Sequence, residues 1–261
     1  MRLSYTFGVP FLDNMKLKQI ADSVKEDVEL QTFWRCSNVM AINRMGYTDH
    51  GPTHVKIVAN SALKILRILV KSGVVPNVVK DYNLTTEDAE VVVVLASIFH
   101  DLGMIVTRER HGEYSVNLAF HFLQRHLHKV YSEEESAIIS SEVAHALLSH
   151  YPQQKVLTLE AGIVRIADAL DMEEGRARIP FQAGKVDIHA VSAMSIEKVE
   201  IAEGTEKPVV IKIRMSNSAG IFQIDELLKA RIVGSGLEKY IHVVAEIVGE
   251  KERKIIDKFE I

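Results

Sequence analysis

Ile98-Phe99-His100-Asp101-Leu102-Gly103 closes an apolar run that begins at Val91. It places a neutral imidazole nitrogen and an anionic carboxylate oxygen on neighbouring residues. Such a pair can bind a divalent metal ion if further ligands come from other parts of the chain. A His-Asp dipeptide alone is a weak signal, so the residues before and after it decide how it is interpreted.

The pair lies at the end of a predicted helix. Thr86 is expected to cap the N-terminus of that helix, which then runs to His100. The four valines at 91–94 leave a β-strand open as an alternative. In the preceding segment Pro52 suits a first helical turn, so His54 should lie near the start of another helix.

Helices are predicted through most of the first 172 residues, because apolar residues recur there at three- and four-residue steps. A pair of helices is predicted over residues 15–45, and further helices are predicted at 114–128, 132–149 and 159–172. Ser132, followed by three glutamates, is typical of a helix N-terminus. Residues 71–85 are interpreted as a loop, and Gly175 and Pro180 as the end of the helical part.

The pattern changes from about residue 185, where apolar and polar residues begin to alternate. Strands are predicted at 195–202, 208–215, 242–248 and 254–261, with a helix at 221–232. The predicted fold class is therefore mainly α: an all-helical domain over residues 1–184, followed by a small α+β domain over residues 185–261. Its sheet is expected to be mostly antiparallel.

Composition limits the function classes. The 261 residues are 47% hydrophobic and 25% charged with a net charge of −4, which makes nucleic acid an unexpected partner. The one cysteine, Cys36, excludes an internal disulfide, and we expect it to be a small buried residue. No apolar stretch approaches the roughly 18 residues of a membrane span, so a cytoplasmic protein without a membrane partner is expected.

Two further residues give the His-Asp pair its context. His54 precedes it, and Asp168 follows it among apolar residues, where a carboxylate is costly unless it is paired or binds a metal. The order His, His-Asp, Asp resembles the HD superfamily of metal-dependent phosphohydrolases over roughly residues 40–180, as a two-domain member of archaeal or bacterial type. The stretches YTDHGPTHV (47–55), FHDLGM (99–104) and IVRIADALD (163–171) resemble the family's local sequences.

This resemblance implies a helical domain with a metal site at its centre. By it, the first ion is held by His54, His100, Asp101 and Asp168. A second ion, bridged by the aspartate of the pair, would take His111 and His150. The chain departs from the two-metal branch at Tyr151, where that branch has a second histidine. One or two divalent ions (Mn, Mg, Fe, Co, Ni or Zn) are therefore expected per chain.

Other residues are candidates for the chemistry. Asp101 is expected to position the attacking water, as the resemblance implies, and His50 either carries protons or caps a turn. Asp171, on the same helix face as Asp168, either lines the site or pairs with an arginine. Arg165 is the first candidate for binding substrate phosphate; the other candidates are Arg108, Arg110, Arg176 and Arg178.

The predicted function is hydrolysis of a small phosphorylated substrate, a nucleotide, cyclic nucleotide or other phosphoester, by metal-activated water. The alternatives are a nucleotide-sensing module without turnover and a di-iron oxygenase, since some relatives with these ligands oxidise substrates. Exposed edge strands in the C-terminal domain predict a homodimer. The turn at 217–220 either binds an anion or only caps a helix.

Overall fold

The computed structural model describes residues 8–174 and 188–248. The first range is helical, as expected. Its helices are α1 (Met15–Glu26), α2 (Val28–Asn38), α3 (Pro52–Lys71), α4 (Asn77–Tyr82), α5 (Thr86–Phe99), α6 (His111–Leu127), α7 (Glu133–Ser149) and α8 (Leu159–Ala169). A π-helical turn, Val39–Arg44, extends α2, and a 3-10 turn, Leu102–Ile105, follows α5.

Helix α5 is the centre of the helical part. Every residue from Val91 to Phe99 is buried, and α3, α7 and α8 pack around it. A helix that is apolar on all faces must be enclosed by other elements. Such a helix has no polar face and so no helical period in its sequence, which is why residues 91–94 were compatible with either a helix or a strand. Its cap is Thr85 rather than the predicted Thr86, because Thr85 and Asp88 form a reciprocal capping box.

The helix boundaries agree with the prediction in some places and differ in others. Asp27 caps α2 and so divides residues 15–45 into the expected pair of helices. The expected loop at 71–85 contains α4, whose first backbone amides donate to the buried carboxylate of Glu160. Ser132 caps α7 in a capping box with Glu135, as predicted. Cys36 is exposed rather than buried, because it lies on the outer face of α2.

The second described range forms a small mixed sheet. It contains α9 (Ile188–Ala193), β1 (Ile196–Glu203), β2 (Val209–Met215), a π-helical segment (Gln223–Leu228), α10 (Lys229–Ile232) and β3 (Ile241–Ile247). Strands β1 and β2 are antiparallel, but β3 lies parallel to β2. The helical connection returns the chain to the end of the sheet at which β2 begins, so β3 runs in the same direction as β2. The sheet is therefore mixed, which corrects the expectation of a mostly antiparallel sheet.

The sheet shares one hydrophobic core with the helices. Alternate residues of β2 are buried, and they belong to the same apolar cluster as α3, α5 and α8. The predicted domain boundary at 184/185, Gly175, Pro180 and the predicted strand at 254–261 lie outside the described residues, so the two-domain division stays a prediction. Within the described ranges, no helix is both long and apolar enough to cross a membrane.

Candidate metal centre

Six histidine and aspartate side chains converge where helices begin or end. His54 lies in the first turn of α3, and His100 and Asp101 follow the last turn of α5. The other three are His111 at the start of α6, His150 after α7 and Asp168 near the end of α8. Five of the six are buried and Asp168 is slightly exposed, so the cluster lies inside the helical part.

The turn after α5 is held in place by Ser115. Its Oγ donates to the carbonyl of His100 (2.6 Å) and accepts from the amide of Gly103 (2.8 Å). A Cβ at Gly103 would lie 1.9 Å from the carbonyl oxygen of His111, so only glycine allows α6 to approach this closely. The close approach brings Asp101 and His111 together.

One donor group comprises His54, His100 and Asp168. The two Nε2 atoms of the histidines are 3.1 Å apart. Oδ1 of Asp168 lies 3.3 Å from Nε2 of His54 and 3.5 Å from Nε2 of His100. Three donor atoms from three helices therefore face one small space, as a metal ion requires.

A second donor group comprises Asp101, His111 and His150. The Nε2 atoms of the two histidines are 3.1 Å apart, and Oδ1 of Asp101 lies 3.2 Å from that of His111. The other oxygen, Oδ2 of Asp101, faces the first group, 3.3 Å from His54 Nε2 and 3.2 Å from His100 Nε2. Asp101 therefore offers one carboxylate oxygen to each group.

The Nδ1 atoms of these histidines have hydrogen-bond acceptors nearby. His100 donates to the carbonyl of Ser97 (2.7 Å), His150 to that of Leu147 (2.5 Å) and His111 to that of Arg108 (2.7 Å). His54 donates to Oδ2 of Asp171 at 2.6 Å. Carbonyls and carboxylates can only accept, so the proton belongs on Nδ1 and the lone pair of each Nε2 points into the centre, as in metal-bound histidine.

Comparison with known proteins agrees with this arrangement. The HD domain family matches residues 53–173, a range that contains all six of these residues. The chain belongs to the HD superfamily. It is also 45% identical over 244 residues to MJ1020, an uncharacterized protein of Methanocaldococcus jannaschii, covering 94% of this chain and 93% of that protein. The family is one of metal-dependent phosphohydrolases.

The charges of the HD centre favour a bound cation. Burial lowers the pKa of His100, but Asp101 and Asp168 outweigh burial and raise that pKa to about 9. Burial, with the neighbouring His100 and His111, lowers the pKa of His150 to about 3 and keeps it neutral. The two carboxylates therefore attract positive charge into the first group, while the second group keeps a neutral imidazole ready to bind a metal.

Two details of the cluster fit a divalent metal ion. Oδ2 of Asp101 is fully buried and makes no hydrogen bond within the described part of the chain, which is costly for a carboxylate oxygen that binds no cation. Nε2 of His54 and Nε2 of His100 face each other at 3.1 Å, so a proton or a metal ion must lie between them. Imidazole and carboxylate donors together suit Zn, Mn, Fe, Co or Ni.

Tyr151, where the chain departs from the two-metal branch, supports the second group. Its ring stacks on His150, with 4.4 Å between centroids, and its hydroxyl lies 2.6 Å from Nδ1 of His111. A Cβ at Gly112 would lie 2.6 Å from the Tyr151 ring, so the missing side chain makes room for the tyrosine. Tyr151 thus contacts both histidines of the group without being one of its ligands.

The other predicted site residues lie at different distances from the ligands. His50 is buried beside His54, with ring centroids 5.7 Å apart, and its Nε2 accepts from Arg108 (3.3 Å). Asp171 contacts His54, as described. Arg165 is buried and binds the carbonyls of Tyr151, Gln154 and Gly234, so it braces loops and contacts none of the six ligand side chains.

Of the three other candidate arginines, the structure describes one, Arg110. Arg110 is exposed and pairs with Glu113, its neighbour on α6. Arg176 and Arg178 fall outside the described residues. The turn at 217–220 is capped by its own Asn217, whose Oδ1 accepts from the amide of Ala219.

Arg231 of α10 reaches the centre although no sequence pattern indicated it. Its Nη1 lies 3.4 Å from Oδ2 of Asp168 and donates to the carbonyl of His150. Arg231 is 63 positions beyond Asp168 in a region expected to form a different domain. Only the packing of α10 against α8 brings the two together, so the sequence held no signal that could have revealed it.

Proposed function

We propose that this HD protein hydrolyses the phosphoester bond of a small substrate with metal-activated water. The observation that supports the proposal best is the position of Asp101, which offers one buried carboxylate oxygen to each of two donor groups. A carboxylate that bridges two cations is the arrangement used for in-line displacement at phosphorus.

The residues proposed to hold the ions follow from the two groups. His54, His100, Asp168 and Oδ2 of Asp101 would bind the first, and His111, His150 and Oδ1 of Asp101 the second. When bound, such ions neutralise phosphate charge and lower the pKa of a coordinated water, which supplies a hydroxide nucleophile near neutral pH.

The protein's own groups have distinct roles in the proposal. Asp101 fixes the separation of the two groups and orients the attacking water. Asp171 holds the ring of His54 through a 2.6 Å contact, which keeps its Nε2 directed inward. His50, whose Nδ1 donates to the carbonyl of Thr48, presents Nε2 to Arg108 and is the proposed proton carrier.

The substrate class is proposed to be a nucleotide or a related small phosphoester. Arg108 is exposed beside His50, and its guanidinium lies over the Tyr47 ring at 5.0 Å. An arginine braced on an aromatic ring beside a metal centre suits the oxygens of a phosphate group. For Arg165, which faces backbone carbonyls, substrate binding stays a prediction.

Metal analysis combined with hydrolysis of a nucleotide panel tests the function. The wild-type protein, loaded in turn with Mn²⁺, Mg²⁺, Co²⁺ and Ni²⁺, is expected to release phosphate or cleave a diester, and Asp101→Ala to do neither. His121→Ala is the matched control, since His121 is exposed and pairs with Glu29 on α2. Nucleotide binding without turnover would replace the proposal with a sensing module. Two bound irons with oxygen-dependent turnover would replace it with an oxygenase.

We also propose a homodimer formed through the C-terminal part. Strand β3 is at the edge of the described sheet and exposes Val244 and Ile247, and such edges often pair with another chain. Light scattering at micromolar concentration is expected to give twice the chain mass, and a monomer would remove this part of the proposal. The cytoplasmic location stays a prediction.

A further inference from the structure

Arg231 differs from the other arginines near the centre in what it contacts. It is carried by α10, in the part of the chain that follows the HD match at 53–173. Its side chain is 22% exposed, whereas the ligands it approaches are nearly buried. Arg231 is thus a partly exposed residue in direct contact with the enclosed centre.

One end of the Arg231 guanidinium is held by the protein. Nη1 contacts Oδ2 of Asp168 and the carbonyl of His150, which joins one residue of each donor group. Oδ1 of Asp168 faces His54 and His100, so the two oxygens of this carboxylate point to different partners. The guanidinium is therefore anchored beside the metal ligands in a defined orientation.

The remaining nitrogens of Arg231 have no such partner in the described ranges. Among the residues that the structure describes, neither Nε nor Nη2 makes a hydrogen bond to the protein. Arg165 shows the contrast: its two terminal nitrogens bind three backbone carbonyls. Two donors on an anchored, partly exposed guanidinium match two oxygens of a phosphate group.

We propose that Arg231 is a phosphate-binding residue, so that the C-terminal part of the chain completes the substrate site of the HD domain. This inference rests on the proposed function for its substrate class. An arginine that only oriented Asp168 would need no exposure and no donors left over. The planar guanidinium holds its N–H donors in a fixed geometry that fits two phosphate oxygens, whereas the ammonium group of lysine is a point charge. Lysine at position 231 is therefore expected to bind phosphate less well than arginine.

Inorganic phosphate is the probe that tests Arg231 without turnover. Its binding to the Mn²⁺-loaded protein is measured by calorimetry at saturating Mn²⁺, with metal content determined in parallel. Arg231→Gln is expected to weaken phosphate binding about tenfold or more, since it removes a charge-assisted contact. Arg231→Lys should recover only part of the loss. The metal content and the melting temperature should stay close to those of wild type.

Lys229→Gln is the matched control for charge. Lys229 lies two residues earlier on α10, is 66% exposed and pairs with Asp225, so its loss removes the same charge away from the centre. It should change phosphate affinity less than about twofold, because an exposed charge is screened by salt and solvent.

Three results would overturn the assignment of Arg231. One is phosphate affinity in Arg231→Gln within twofold of wild type. A second is that Arg231→Gln loses bound metal, and that phosphate binding returns once a higher Mn²⁺ concentration restores the metal. Arg231 would then act only through Asp168. The third is a wild type that hydrolyses phosphoesters with no measurable affinity for phosphate. Failure of the proposed function looks different, because wild type would then hydrolyse nothing whatever Arg231 binds.

Discussion

The two donor groups of the centre contain similar atoms but differ in charge and in support. The first group has Asp168 to itself and shares Asp101, and its His54 is held by a carboxylate, Asp171. The second has only its share of Asp101, and its histidines are held by neutral carbonyls and by Tyr151. Anionic ligands and anionic supports strengthen metal binding, so the first group should bind a divalent ion more tightly than the second.

Loss of the residue that both groups share should have the largest effect. Asp101→Asn keeps the size of the side chain but removes the charge, so both groups lose an anionic donor. We expect phosphoester hydrolysis to fall about a thousandfold, because metal-ion catalysis contributes several kcal/mol. Steady-state kinetics with metal content measured in parallel provides the check. Activity within tenfold of wild type would show that Asp101 does not bridge two metal ions.

Removing one histidine from each group tests the difference between them directly. His150→Ala should lose the weaker ion and keep the tighter one, whereas His54→Ala should lose the tighter one. The metal bound per chain is measured by mass spectrometry after desalting, with His121→Ala as the control. The comparison between the groups fails if His150→Ala retains less metal than His54→Ala.

The supporting residues should rank in the same order. Asp171→Asn removes an anionic partner of His54 and is expected to reduce metal affinity or activity 10- to 100-fold, about the usual effect of such partners. Tyr151→Phe removes a neutral hydroxyl near His111 and should cost less than about tenfold. Metal titrations of both variants give the ranking. A larger loss of metal affinity in Tyr151→Phe than in Asp171→Asn would contradict the claim that the anionic support of the first group is the stronger one.

A smaller effect, shared by both groups, is expected at Ser115. Ser115→Ala leaves the carbonyl of His100 and the amide of Gly103 without their buried partner, a loss of about 1–3 kcal/mol. The melting temperature should fall by about 2–4 °C per kcal/mol in thermal denaturation. Ser141→Ala is the control, because its exposed hydroxyl binds a carbonyl of its own helix; equal melting temperatures for both variants would contradict the role of Ser115.

The first donor group could be predicted from sequence because its residues lie in short local patterns. His54 near a helix start and His100-Asp101 after an apolar helix indicate positions at helix ends, and Asp168 among apolar neighbours indicates a buried carboxylate. Resemblance to the HD superfamily joined these four residues into one ligand set. Resemblance to the HD superfamily added His111 and His150, which the structure brings together. Helix existence was predictable for the same reason: a 3.6-residue apolar period is a local property.

What could not be predicted depends on packing between distant segments. Arg231 reaches Asp168 only because α10 lies against α8, and no local pattern encodes that contact. The parallel pairing of β3 with β2 follows from the path of the connection, whereas alternation of apolar residues is the same in either direction. Tyr151 was interpreted only as a departure from the family, since its role needs the ring of His150 and the space at Gly112.

The central claim is that Asp101 bridges two metal sites of unequal strength. Anomalous diffraction from crystals of the Mn²⁺-loaded protein tests it most directly. The account predicts two peaks, the stronger among His54, His100 and Asp168 and the weaker beside His111 and His150, with an oxygen of Asp101 bound to each. A single peak to which Asp101 contributes no oxygen, or no peak at either group, would contradict it.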